Sequence, residues 1–139
     1  MGVGYFSALA GNFLAADEHA KLTLLAEVER RVVDVLRPLV KKHGGEPRDD
    51  AVLLAIGERD AKPHLDLGWA ELMASIVAGY PAYVEAFEAL ERMAPEGDRP
   101  ALRLLTLHEV ATVAFATKEI AGEGDSLAPI EDFLGRRIG

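Results

Sequence analysis

Apolar positions recur at three- and four-residue intervals over most of the chain, and no segment sustains the alternation of a half-buried strand. A short apolar stretch, Tyr5 to Ala16, leads to Asp17, which the pattern makes a helix N-cap. From there a helix is predicted to about His43, stopped by Gly44-Gly45, where glycine allows the left-handed turn that ends helices. Asp49 or Asp50 caps a second, shorter helix that must end near Pro63. A third is predicted from about Asp66 to Met93, kinked at Gly79-Tyr80-Pro81. Asp98 caps a fourth, with Pro100 in its first turn and Gly122 at its end. Asp125-Ser126 then signals a last cap before an apolar docking set of Leu127, Ile130, Phe133 and Leu134. Short connectors between helices favour antiparallel neighbours. The pattern therefore predicts an all-α, up-down antiparallel bundle of about four main helices with short terminal helical segments, one domain over residues 1–139.

Charges on apolar faces are the informative residues. On the first long helix Leu22, Leu25, Val28, Val32, Leu36 and Leu39 share one side with Glu18 and Glu29. Glu18 sits at the helix start, where a carboxylate meets the positive end of the dipole; Glu29 is mid-helix and has no such partner. On the second helix Asp60 follows Leu53 and Ile56 around the wheel, and His64 continues that side if the turn persists past Pro63. The third helix carries Trp69, Tyr80 and Tyr83 on a bulky face opposite an alanine stripe. The fourth helix, from Leu102 to Ala121, is apolar in almost every direction and so belongs in an interior or an interface. It nevertheless holds His108, Glu109, Thr112 and Glu119. His108, Thr112 and Glu119 lie on one side, while Glu109 points to the sector of Leu102 and Ile120.

Composition narrows what such residues can do. The 139-residue chain is 50% hydrophobic and 27% charged, enough for a core without covalent staples. It contains no cysteine, which excludes disulfides and thiolate metal sites and fits a reducing, cytoplasmic setting. Its net charge of −8 repels phosphate backbones, and the Arg136-Arg137 pair is too small to reverse that, so nucleic acid is not expected as a partner. No apolar run reaches the roughly 18 residues of a membrane span. Val3 to Ala16 lacks a preceding Lys or Arg for a signal peptide, and Phe6 stands where a Met1-Gly2 myristoylation signal needs a hydroxyl. There is no glycine-rich phosphate loop opening a helix after a strand and no nucleophile elbow.

A small bundle with Glu and His directed inward from different helices resembles the ferritin-like superfamily, including rubrerythrin-like proteins, over roughly residues 17–122. The resemblance implies a metal centre, with Glu29, His108, Glu109 and Glu119 as candidate ligands. The family's Glu-x-x-His motif is missing: Leu105 stands three residues before His108, and Ala61 three before His64.

Two functional expectations follow. In the first, Glu29, His108 and Glu119, with Asp60 and His64 as weaker candidates, converge in the interior to bind a divalent metal (iron, manganese or zinc) or to exchange protons. Trp69, Tyr80, Tyr83 and Thr112 would then line a pocket for a small-molecule ligand. In the second, the chain is a non-enzymatic helical module that assembles as a homodimer through the apolar fourth helix and the two-faced third.

Overall fold

The apolar start of the chain is a helix of its own. In the computed structural model, which describes residues 2–136, α1 runs Gly2–Asn12 and buries Val3, Phe6, Leu9 and Ala10. Met1 and Arg137, the outer members of the terminal pairs noted above, lie outside the described residues. The chain is all-helical, with no strand among the described residues and no helix there long and apolar enough to cross a membrane. It divides into two compact units, one up to Trp69 and one from Ala70.

In the first unit α1 packs against both α2 (Ala16–Lys42) and α3 (Asp50–Ala61). The close approach to α3 depends on glycine. A Cβ on Gly4 would stand 2.4 Å from the Leu54 carbonyl oxygen. α2 begins two residues earlier than expected, after Ala15, which offers no side-chain cap. Asp17 lies inside the first turn, pairing with Lys21 at 2.8 Å. Leu22, Leu25, Val28 and Val32 form its buried stripe. The end of α2 is as expected. Gly44 takes a positive φ of 81°, and the N–H groups of Gly44 and Gly45 bond back to Lys41 and Val40, closing the helix in a Schellman turn. Asp49 caps α3 by accepting the Val52 N–H at 3.0 Å.

The second unit holds the rest of α4 (Trp69–Gly79), then α5 (Pro81–Met93), α6 (Arg99–Ile120) and α7 (Ala128–Leu134). The expected kink is a single residue, Tyr80. It stays in helical conformation and carries bonds to Ile76 and from Val84 across the break at Pro81. α6 packs against α5 and α7. Asp98 precedes α6 without capping it; its own backbone is already helical and its side chain is buried. At the far end Gly122, φ 71°, makes a second Schellman turn with Glu123. The cap expected at Asp125-Ser126 is instead Leu127, without a side-chain bond, and α7 docks through Ile130 and Phe133.

Candidate functional site

α6 buries a broad sector that includes polar groups and leaves a stripe of Arg103, Val110 and Thr117 exposed, so the all-round burial expected from its sequence is only partly met. Leu102, Leu104, Leu105, Ala111, Phe115 and Ala116 are buried, and so are Thr106, His108, Glu109 and Thr112. Side chains on a helix lean toward its N-terminus, so the His108 ring lies back over the preceding turn, where Nδ1 meets the Leu105 carbonyl. Nε2 faces Glu109 Oε1 at 2.6 Å, with the two side chains only 3% and 8% exposed. Phe87 of α5 and Phe133 of α7 flank the ring at 6.1 and 6.4 Å between centroids. The second oxygen, Glu109 Oε2, is buried and has no hydrogen-bond partner among the described residues.

Proton accounting follows from these contacts. A carbonyl only accepts, so Nδ1 carries a hydrogen and the Leu105 oxygen fixes that tautomer. Nε2 then either shares a proton with the Glu109 carboxylate or presents its lone pair to an electrophile. Fixing one ring nitrogen through a carbonyl so that the other is the ligand is how proteins orient metal-binding histidines. The unbonded Oε2 is the anomaly: a buried carboxylate oxygen left without a donor costs free energy.

Among the other candidates of the second unit, one joins the imidazole. Glu109, assigned by the helical wheel to another sector, is the acid at the imidazole. Glu119 is not. α6 is continuous from Arg99 to Ile120, and eleven residues of helix put Glu119 about 16 Å along the axis from His108, too far for one ion. Thr112 donates its hydroxyl to the His108 carbonyl at 2.8 Å, a bond that holds it to its own helix. Tyr80 and Tyr83 meet edge to face at 5.7 Å, and Tyr83, stacked on Phe87, is 54% exposed.

Glu29, His64, Asp60 and Trp69 belong to the first unit. Glu29 is half-buried, and its carboxyl lies against the first residue of α1: a Cβ on Gly2 would come within 2.3 Å of Glu29 Cδ. A carboxylate at a helix start is favoured by the free N–H groups there, the explanation that Glu29 lacked in the sequence. The Nδ1 atom of His64 bonds the Tyr5 hydroxyl at 2.7 Å. Asp60 pairs with Arg59 at 3.4 Å and is exposed. Trp69 packs edge-on to Phe13 at 5.4 Å.

The resemblance counted Glu109 among the candidate ligands, but the helical wheel set it apart from His108, because a wheel separates neighbours by about 100° and treats divergence as separation. The usable signal was that α6 has no polar side. Comparison with protein-family models, with curated proteins and with solved structures returned no match to this chain.

Proposed function

We propose that this protein binds a divalent metal ion in its second unit, through His108 Nε2 and the Glu109 carboxylate. The reading is carried by one observation: a 2.6 Å imidazole–carboxylate contact, buried, with the outer carboxylate oxygen left unbonded. A cation at that position would replace the shared proton and give Oε2 the partner it lacks. Neutral imidazole with carboxylate and no thiolate suits zinc, iron or manganese. It is also the ligand chemistry that the ferritin-like resemblance implies, here for a single ion. One carboxylate neutralises only part of a dication, so the remaining positions call for water or a small anionic ligand. His108 and Glu109 hold the ion, Leu105 fixes the ring, and Phe87 and Phe133 keep bulk water from it.

The test is reconstitution of tag-free protein with zinc, manganese and anaerobic ferrous iron, followed by dialysis and elemental analysis. About one ion per chain is expected for one of them, and none for the His108→Phe/Glu109→Met double variant, whose apolar side chains keep the core filled. Protein that stays metal-free with all three ions overturns the reading.

A second reading, self-association, is favoured by α5. It buries none of its residues fully, and its exposed side aligns Tyr83, Leu90 and Met93 at helical spacing, Met93 being 77% exposed. Light scattering decides it. A monomer at high micromolar concentration sinks it.

A further inference from the structure

The first unit carries a concentration of positive charge that runs against the rest of the chain. Residues 30–50 hold Arg30, Arg31, Arg37, Lys41, Lys42 and Arg48 against Asp34, Glu46, Asp49 and Asp50, a small positive excess in a chain of net charge −8. Where the end of α2 approaches the start of α3, Arg37, Lys41, Pro47, Arg48, Asp49 and Asp50 line an open cavity of about 260 Å³. That is room for several waters or one small ligand head group.

The charges around it are not equally committed. Asp49 is turned to the Val52 N–H, and Asp50 is held by Arg37 at 2.6 Å. Arg37 spends a second bond on the Arg48 carbonyl at 3.3 Å. The side chains of Lys41 and Arg48 have no partner among the described residues, although two carboxylates stand in the same cavity. The α3 N-terminus is already capped by Asp49, so the attraction comes from the side-chain cations.

We propose that this cavity binds the phosphate of a small phosphate monoester, with Lys41 and the Arg48 guanidinium as its two principal contacts. Asp49 and Asp50 are engaged by the Val52 N–H and by Arg37, which leaves Lys41 and Arg48 open to an incoming anion. A dianion doubles the Coulombic attraction, and a guanidinium fork matches two phosphate oxygens at once. The site is independent of the His108–Glu109 reading and lies in the other unit.

Amide chemical shifts of the ¹⁵N-labelled full chain test this, titrated at matched ionic strength with phenyl phosphate, dimethyl phosphate and acetate. Phenyl phosphate, the dianion, is expected to give saturable shifts confined to residues near 37–51. The two monoanions should give weak, unsaturated ones. Lys41→Gln/Arg48→Gln, both exposed positions, should keep the helical circular dichroism and weaken phenyl phosphate binding by about tenfold or more. The proposal fails if phenyl phosphate does not saturate, if acetate or dimethyl phosphate does as well, or if the folded double variant binds unchanged.

Discussion

Both nitrogens of the His108 ring face oxygen, one from the Leu105 carbonyl and one from Glu109. Removing the ring alone leaves a buried carboxylate with no partner on either oxygen, so His108→Ala should cost about 3 kcal/mol or more of unfolding free energy. The apolar pair His108→Phe/Glu109→Met removes both charges and should recover most of that loss. A denaturant-melt cycle checks it, and additive single-variant costs would mean the two groups are not coupled. The imidazole was legible in the sequence because it interrupts an apolar helix. Its pairing with Glu109 was not, since the helical wheel puts adjacent residues about 100° apart.

At the surface Asp50 gives a pH-dependent counterpart. The Arg37 hydrogen bond, and then its charge, hold the Asp50 carboxyl below its ordinary value. A depressed folded-state value means that the contribution is present above the unfolded value and lost as pH falls through the lower folded one. Wild-type protein should therefore melt slightly above Asp50→Asn at pH 7, and the gap should close as pH drops below about 4. A gap that persists in strong acid would assign the effect to something other than this ion pair.

The helices end where glycine permits and begin where packing permits, and the two kinds of boundary differ in how readable they are. Gly44 and Gly122 stop α2 and α6 in positive-φ turns that only the local chain decides, which is why the sequence located both ends. The starts of α2, α6 and α7 have no side-chain cap, and the acids expected there sit inside the first turn or are turned elsewhere. The start of α1 is legible in the sequence only as a short apolar stretch. Its glycines lower helix propensity, and its reason to be a helix is tertiary: Gly4 lets it close on Leu54.

That difference is measurable within one element. Gly4→Ala forces a Cβ to 2.4 Å from a backbone oxygen, whereas a Cβ at Gly11 meets nothing within 4 Å. The first should destabilise by about 1–3 kcal/mol through overpacking. The second should stabilise by up to about 1 kcal/mol, because alanine is the better helix former. Thermal melts of the two variants settle it. Equal effects would remove α1–α3 contact as the reason for glycine at position 4.

Across the whole chain, charge and exposed apolar surface oppose each other. The isoelectric point is near 5.0 and the net charge at neutral pH is −8. Of the 23 acids, 12 lie from residue 70 onward against six basic residues, and that half contains α5 with Tyr83, Leu90 and Met93 exposed. Like charge keeps two such surfaces apart at low salt. If α5 is a self-association face, the apparent mass should rise as pH falls from 7.5 toward about 5, and also at neutral pH when salt screens the repulsion. Leu90→Glu/Met93→Glu, which adds charge to the face without touching a fully buried residue, should abolish both increases. General precipitation near the isoelectric point needs no particular face, so it would respond to pH in the variant as it does in the wild type. A variant that associates as strongly as the parent at neutral pH in high salt would therefore dismiss α5 as the contact, while an invariant monomer mass in the parent would dismiss self-association altogether.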